Sequence, residues 1–277
     1  MNIGESKNKK KVNVLDFECD IKKESSYILG LLWADGHIRE VDKLTSINCS
    51  EDDINNVTEV FLKTGHWNIS NPIIKTHNGK KVKTQKKIST STWGLFDILK
   101  KNDYVNKSNS SPNKILSTIP KKLKKYWFRG YLDGDGCIKL GKKYGVEVVF
   151  AGPYNQDWSF MVDLCNELSI NYSIDNRIVK IGGYSHFRVY KKNDVKMLCD
   201  YIYNDFDGIG FSRKYKKYIN VLNYIKEKSV KFWDKKDEKF LIENYSKITS
   251  VECSKKLKKS LCSVYNKIRS LKKQNKI

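Results

Sequence analysis

Apolar and polar positions follow the same pattern twice along the chain. Residues 27–38 have the sequence YILGLLWADGHI and residues 127–138 have WFRGYLDGDGCI, so the two segments align without gaps at an offset of 100 residues. Each segment is apolar, has a glycine four residues before a second small residue, and ends in Asp-Gly. One repeat of this length indicates two similar halves and not a solenoid, whose repeats are about 20–50 residues long.

Both segments are predicted to be helices that end at the glycine after the aspartate. The small residues in each, Gly30 and Ala34 or Gly130 and Gly134, lie four apart and therefore on one helix face. Because small side chains allow helix backbones to approach closely, we expect the two helices to pack against each other at a pseudo-two-fold axis.

The segments after each helix predict the same order of elements in both halves: helix, two strands, helix, two strands, helix. The predicted strands lie within 37–50, 73–90, 145–151 and 172–190, and the predicted helices cover 53–64, 93–101, 157–168 and 193–204. Turns are predicted at Asn78-Gly79, Asp175-Asn176 and Gly182-Gly183, and a helix cap at Ser25 or Ser26. The expected fold class is therefore α+β.

The segment from Ser229 to Ile277 has a different pattern. It holds 14 Lys or Arg against five Asp or Glu. Its apolar residues recur every three or four positions and predict three short helices: Phe240, Leu241, Tyr245, Ile248, Leu257, Val264, Ile268 and Leu271. We therefore divide the chain into a basic N-terminal extension (1–22), a first half (23–118), a second half (119–228) and a small all-α C-terminal module (229–277).

The net charge of the chain indicates the class of molecule that it binds. Lys and Arg total 53 and Asp and Glu 31, for a net charge of +22 spread over the whole chain. Such an excess attracts a polyanion, most often nucleic acid, although an AT-rich genome could supply part of the lysine. A membrane partner is not expected, because no strongly amphipathic basic helix is evident and the longest apolar run, near 27–34, is far too short to span a bilayer.

The cysteines indicate a reducing environment. There are seven, an odd number, with no CxxC pair, and the four histidines have no metal-ligand spacing. This pattern favours free thiols in an intracellular, cytoplasmic protein over a disulfide framework or a zinc site. We see no signal peptide, because the N-terminus is polar and basic with no apolar stretch behind it.

The two Asp-Gly ends carry the candidate chemistry. A single Asp-Gly is an ordinary helix stop, but two in matched contexts would bring the carboxylates of Asp35 and Asp135 together with free helix-end carbonyls. The negative ends of two helix dipoles make such a cluster unfavourable unless a cation joins it. Oxygen ligands suit Mg²⁺, and metal ions held between carboxylates hydrolyse phosphodiesters. The pattern thus points to a nuclease.

The two segments resemble the paired signature helices of the LAGLIDADG homing endonucleases, over about residues 23–226. The nine motif positions correspond to ILGLLWADG (28–36) and FRGYLDGDG (128–136). The resemblance implies that the eighth-position acids, Asp35 and Asp135, bind the metal, with the backbone of Ala34 and Gly134 as further ligands. The sixth position, often acidic in the family, is Trp33 in the first copy and Asp133 in the second. Arg129 replaces a small apolar residue and is expected to point away from the helix pair.

The family resemblance also implies two αββαββα halves whose curved antiparallel sheets lie in the DNA major groove. It places Lys107 and Lys214 near the cleavage centre and Asn48 where it would position water, with no clear polar equivalent of Asn48 near Phe150. The candidate DNA-contacting residues on the sheets are Arg39, Lys75, Lys81, Lys83, Lys139, Arg177, Lys180 and Arg188.

The C-terminal module resembles a Myb/SANT-like helix-turn-helix, from Trp233 through Leu241 and Tyr245 to Val264. This resemblance places Ser260, Ser263, Asn266 and Lys267 on or near a recognition helix. A plain three-helix core with a solvated basic face explains the charges equally well.

The function expected is site-specific cleavage of double-stranded DNA at a long, partly asymmetric site by a monomer, with Mg²⁺ or, in its place, Mn²⁺. Two alternatives remain open on the same scaffold. One is an intron maturase that binds intron RNA, and the other is a DNA-binding regulator without cleavage. Retention of both Asp35 and Asp135 argues against the regulator, because such proteins usually lose the acids.

Overall fold

A computed structural model describes residues 11–74, 76, 77, 80, 81, 84–141, 145–179, 182–229 and 233–277. The chain divides into two compact units, Met1–Val221 and Leu222–Ile277. The division therefore lies inside a helix, at Leu222, where the sequence had placed it at Ser229. Among the described residues, no helix has the length and apolar character needed to cross a bilayer, and none of the seven cysteines forms a disulfide.

The first half of the larger unit has the predicted helices and its first two strands, but in the described part of the chain four strands lie between its second and third helices where two were predicted. Its elements are α1 (Lys23–Asp35), β1 (Gly36–Arg39), β2 (Leu44–Ser50), α2 (Glu51–Leu62), β3 (Asn68–Ile69), β4 (Thr76–His77), β5 (Lys80–Lys81), β6 (Gln85–Thr90) and α3 (Trp93–Lys101). Strands β1, β2, β6 and β3 form one antiparallel sheet in that order, and β4 pairs with β5 as a separate hairpin.

The second half repeats this arrangement after a short connecting helix. Its elements are α4 (Asn113–Thr118), α5 (Lys124–Gly134), β7 (Gly136–Gly141), β8 (Gly145–Pro153), α6 (Ser159–Glu167), β9 (Ser173–Ile178), β10 (Gly183–Val189), α7 (Lys192–Tyr203) and α8 (Ser212–Ser229). The sheet order is β7-β8-β10-β9, so each half pairs its first strand with its second and its last strand with the second. The predicted α+β class with two matching halves is confirmed.

Helices α1 and α5 cross at their glycines. A Cβ atom built on Gly30 would lie 1.9 Å from the backbone oxygen of Trp127, and one built on Gly130 would lie 2.2 Å from the backbone oxygen of Tyr27. Because real Cβ atoms never approach this closely, only glycine permits the crossing at either place. The expected packing of the two helices is confirmed.

Each sheet buries one face, as the strand alternation predicts. In the first sheet Ile47 pairs with Ile88, and both are fully buried. In the second, Phe150 pairs with Phe187, again fully buried. The side chains one residue away along each strand therefore point to the opposite, open face of the sheet.

Three local predictions were wrong. The cap of α1 is Lys22 and not Ser25 or Ser26; Ser25 lies inside the first turn and accepts a hydrogen bond from the Lys22 N–H (2.9 Å). Asp175-Asn176 lies within β9 and is not a turn. Residues 11–22, predicted to be part of an extension, contribute Phe17 to the core. The predicted turn at Asn78-Gly79 lies outside the described residues.

The smaller unit contains the three predicted helices, α9 (Lys235–Asn244), α10 (Ser250–Lys256) and α11 (Leu261–Lys273). Each begins after a polar side chain that accepts a hydrogen bond from a first-turn N–H: Asp234, Thr249 and Ser260. Their apolar stripes meet in a core whose buried members are Leu241, Cys253, Val264 and Leu271.

Candidate functional site

The crossing of α1 and α5 brings the two motif aspartates together. Asp35 ends α1 and Asp135 follows α5 directly, and a Cβ built on Gly134 would lie 3.1 Å from Asp35 Oδ2. Asp35 reaches solvent, yet partial desolvation raises the pKa of its carboxyl above the ordinary value. Burial, and then the charge of Asp35, raises the pKa of Asp135 to about 6. Each carboxylate therefore makes the other more costly to ionise.

Two lysines cap the same helix ends. Lys107 Nζ donates to the carbonyls of Leu32 (3.1 Å) and Ala34 (2.7 Å), at the end of α1. Lys214 Nζ donates to the carbonyls of Leu132 (3.1 Å) and Gly136, at the end of α5. Ammonium groups at these places satisfy orphan carbonyls and offset the negative ends of the helix dipoles.

Burial lowers the pKa of Lys107 and of Lys214 to about 8 in each case. The nearby carboxylates work against this, since the charges of Asp135 and Asp35 raise the pKa of Lys107. Both lysines are thus predominantly charged at neutral pH but lose that charge more readily than an exposed lysine does.

The donors at this site fit a divalent cation. Within the part of the chain that the structure describes, no side chain hydrogen-bonds or ion-pairs with the carboxylate of Asp35 or Asp135. Both carboxylates are hard oxygen donors, and Lys107 and Lys214 act on them by charge without a direct ion pair, which leaves their oxygens open to Mg²⁺ or Mn²⁺. The predicted ligand Ala34 already accepts from Lys107 through its carbonyl, so a metal there would have to share it.

The two halves differ beside the carboxylates. Gly36 pairs with Ile47, and Gly136 pairs with Phe150, so Asn48 in the first sheet corresponds to Ala151 in the second. Asn48 is exposed on the open face, one residue beyond Ile47, which pairs with Gly36 directly after Asp35. Its contact with water at the site stays a prediction.

Next to Ala151 a cavity of about 360 Å³ opens beside Asp135, and the side chains of Lys107, Ser108 and Gln156 line it. Sequence reasoning missed Gln156, because it lies in the connection between β8 and α6, where no periodic pattern marks it.

Each lysine-bearing segment is also bonded to the opposite half. Arg213, next to Lys214, donates through Nε to Asp53 Oδ1 on α2 (2.7 Å). In the first half, Asn113 follows Lys107 at the start of α4, and its Nδ2 donates to Ser159 Oγ on α6 (2.9 Å). The ion pair in one half and the neutral contact in the other had no signal in the sequence, because the partners of the ion pair are 160 residues apart.

The described basic candidates on the sheets lie on the open faces. Arg39 pairs in register with Leu44, opposite to the buried face, and Lys139, Arg177 and Arg188 occupy the equivalent face of the second sheet. Each pairs with an acid: Arg39 with Asp42, Lys139 and Arg188 with Glu147, and Arg177 with Asp175. Lys75, Lys83 and Lys180 lie outside the described residues, and for Lys81 only the backbone, in β5, is described.

Some of the residues predicted to contact DNA from the C-terminal module instead bond to other residues of the module. Ser260 caps α11, Ser263 accepts a hydrogen bond from Trp233 Nε1 (3.2 Å), and Lys267 pairs with Glu238. Of the four predicted residues, Asn266 alone has an exposed side chain without a backbone-capping role. The predicted set therefore does not coincide with the outer face of α11.

The outer face of α11 is basic. The exposed side chains along it are Tyr265, Asn266, Arg269 and Lys273, and α11 itself contains no acidic residue. The acids of the module are engaged elsewhere: Asp234 and Glu252 in caps, Asp237 with Lys259, Glu238 with Lys267, and Glu243 with Lys239.

Arg129 points away from α1, as expected, but it is fully buried. Its guanidinium lies between the rings of Tyr126, Tyr203 and Phe206, at 4.8, 5.7 and 5.4 Å from their centroids. Burial of a charge is tolerated where carbonyls and aromatic faces surround it. Arg129 thus joins α5 to aromatic residues of the second half, and no pattern in the sequence predicts a buried cation there.

No protein-family model and no curated protein matches the chain. Among solved structures, it is similar to the homing endonuclease I-WcaI bound to its DNA recognition sequence, with a TM-score of 0.50 and 16% identity over 74% of this chain and 91% of that chain. It also matches the I-LtrWI LAGLIDADG homing endonuclease bound to target DNA, with a TM-score of 0.46 and 15% identity over 74% of this chain and 91% of that one. The likeness to the first structure shows the fold, which is the one that the motifs implied.

Proposed function

We propose that the chain is a homing endonuclease of the LAGLIDADG type, which cuts both strands of a long, partly asymmetric DNA site as a monomer. The observation that carries the proposal is the approach of Asp35 and Asp135 at the crossing of α1 and α5. The charges of Lys107 and Lys214 act on both carboxylates, but among the described residues no side chain forms a direct hydrogen bond or ion pair with either. The solved structure with the same fold is described as a homing endonuclease bound to its DNA recognition sequence.

The metal would be held by the carboxylates of Asp35 and Asp135, with the backbone oxygens of Gly134 and, shared with Lys107, Ala34. When bound, a divalent cation polarises the scissile phosphate and lowers the pKa of a water molecule that attacks phosphorus. The chain supplies the rest. Lys107 and Lys214, anchored on helix-end carbonyls, present positive charge toward the phosphate oxygens on which negative charge develops.

The open faces of the two sheets would bind the duplex on either side of this centre. Their basic residues, among them Arg39, Lys139, Arg177 and Arg188, now pair with acids, and DNA phosphates or base edges would replace these partners. Because the residues of the two faces differ, the site that they recognise would be asymmetric.

The double substitution Arg269→Ala with Lys273→Ala is expected to weaken DNA binding, because these cations form the outer face of α11 and would contact phosphates. The slope of log K against log salt concentration should fall by about 1 for each cation removed. Fluorescence anisotropy over a salt series measures both effects. Lys239→Ala, on the α9 surface and paired with Glu243, is the matched control. An unchanged salt slope in the double variant would remove the module from the DNA interface.

Chelation of divalent cations is expected to stop cleavage and to leave DNA binding in place, because the lysines and the sheet faces do not depend on the metal. Addition of Mg²⁺ or Mn²⁺ to the chelated protein should restore cleavage. The measurement is linearisation of a plasmid that carries the target, followed with time in EDTA and after each addition. Cleavage at an undiminished rate in EDTA would contradict a metal-dependent mechanism.

The function itself is tested on DNA that joins the two flanks of the gene without the intervening segment. A double-strand break at the junction, in the presence of Mg²⁺, is the expected result. Tight binding to this DNA without a break would favour a regulator. Binding to the gene's own intron RNA with no DNA cleavage would favour the RNA maturase.

A further inference from the structure

The two lysines at the site are anchored at equivalent positions by different contacts. Phe211 lies three residues before Lys214, and Tyr104 lies three residues before Lys107. Both aromatic residues are buried, and each contacts the motif helix of its own half. The residues that precede the lysines therefore decide where the ammonium groups lie.

In the second half, Asp133 holds the backbone at Phe211. Asp133 is fully buried on α5, and its Oδ2 accepts hydrogen bonds from the Phe211 N–H (2.7 Å) and the Tyr27 hydroxyl (2.9 Å). Its Oδ1 accepts from the Tyr203 hydroxyl (2.7 Å). The Phe211 carbonyl in turn accepts from the Lys214 N–H (2.9 Å). The carboxylate thus fixes the first turn of α8, and Lys214 lies in that turn.

Arg129, one turn earlier on α5, fixes the rest of the connection between α7 and α8. Its Nε donates to the Ile202 carbonyl (2.8 Å), and its Nη1 donates to the Ile209 carbonyl (3.1 Å) and approaches Asp207 Oδ1 at 3.3 Å. The bond to Ile202 holds the end of α7, and the other two hold the chain that leads into α8. Two side chains of one helix therefore hold the whole segment that delivers Lys214.

The first half uses an aromatic contact at the same place. Trp33 stands where the second half has Asp133, and Leu29 stands where it has Arg129. The rings of Trp33 and Tyr104 meet edge to face, with centroids 4.8 Å apart and an interplanar angle of 79°. The Tyr104 hydroxyl donates to the Leu29 carbonyl (2.8 Å). Packing and one neutral hydrogen bond here replace the buried carboxylate and guanidinium.

We propose that Asp133 is the positioning residue for Lys214, acting through Phe211, and that Tyr104, packed on Trp33, separately positions Lys107. The inference rests on the proposed endonuclease function and adds to it the residues that set the position of each lysine. Because the two anchors share no side chain, disturbing one of them would slow cleavage of one strand and spare the other. A role in stability alone would slow both strands together.

The test follows both strands of one duplex, labelled with different dyes, under single-turnover conditions. Lys214→Met and Lys107→Met first assign a strand to each lysine. Asp133→Leu keeps the branched shape and the number of heavy atoms but removes the acceptor, and it should slow the Lys214 strand by about 10- to 100-fold, as expected for a catalytic group displaced by about 1 Å. Asp133→Asn, which retains an oxygen for the Phe211 N–H, should restore most of that rate. Tyr104→Phe should slow the other strand.

Gly210→Ala provides a second route if Asp133→Leu does not fold. Gly210 has φ of +137°, and a Cβ there would lie 3.0 Å from Asp133 Oδ2, so the methyl group pushes the segment away while the carboxylate stays. It should slow the same strand as Lys214→Met. Equal slowing of both strands by Asp133→Leu or Gly210→Ala overturns the inference. Absence of cleavage by the unaltered protein would instead overturn the proposed function.

Discussion

Asp35→Asn and Asp135→Asn are each expected to abolish double-strand cleavage, with a fall in rate of at least about 10²–10³-fold, the size typical of losing one electrostatic contact to a transition state. Either change removes half of the negative charge that would hold the metal, while the amide keeps the shape of the site. Plasmid linearisation in Mg²⁺ measures the loss. DNA binding, measured by anisotropy in EDTA, should stay near that of the unaltered protein.

The melting temperatures of the two variants distinguish loss of a metal ligand from loss of activity through unfolding. Desolvation raises the pKa of both carboxyls, and the charge of Asp35 raises that of Asp135 further, so at neutral pH the two charges destabilise the folded state and a neutral amide relieves this. Both variants should therefore melt at or above the temperature of the unaltered protein without divalent ions. Asp97→Asn, at an exposed position of α3, is the matched control and should cleave normally. Cleavage that survives in both variants would end the enzyme proposal.

The parts of the site that the sequence predicted are those that local pattern encodes. The crossing of α1 and α5 follows from the spacing of Gly30 and Gly130 within apolar helices, and the place of Asp35 and Asp135 follows from the crossing. The antiparallel strands of the two sheets were predicted from alternation, but their order was not, because β2 pairs with β6 across α2. Each inference needed only residues a few positions apart.

The contacts that hold the lysines could not be predicted from the sequence, because their partners lie far apart along the chain. Asp133 and Phe211 are 78 residues apart, and Arg213 and Asp53 are 160 apart, and neither pair shares a periodic pattern that would join them. A buried Arg129 was equally unpredictable, because its partners are the carbonyls of Ile202, at the end of α7, and of Ile209, in the connection to α8, both more than 70 residues away.

The outer face of α11, in contrast, could have been found from the sequence. Val264, Ile268 and Leu271 mark the helix stripe that packs on the module core, and a residue such as Arg269 points elsewhere on the helix. The predicted residues Ser263 and Lys267 lie next to that stripe and contact the module's own Trp233 and Glu238. The Myb/SANT resemblance predicts contacts at Ser263 and Lys267, whereas the helical spacing alone predicts them at residues such as Arg269.

Gly30→Ala is expected to destabilise the larger unit by at least about 3 kcal/mol, more than most single substitutions do. The new methyl group would lie 1.9 Å from the Trp127 backbone oxygen, so α1 and α5 would have to move apart along their whole contact. Gly130→Ala should act in the same way, since its methyl group would meet the Tyr27 backbone oxygen at 2.2 Å. Urea unfolding followed by circular dichroism gives the free energy of unfolding.

The sign of the change in the free energy of unfolding tests the helix crossing, because helix propensity alone would make Gly30→Ala stabilising. In a helix without a close neighbour, Gly→Ala stabilises by about 1 kcal/mol. Gly141→Ala, at the end of β7 with no atom within 4 Å of the added methyl group, is the control and should shift stability by less than about 0.5 kcal/mol. A gain in stability for Gly30→Ala would mean that the two helices do not cross at their glycines. Asp35 and Asp135 would then lack the helix crossing that brings them together, and the composite metal site would fail with it.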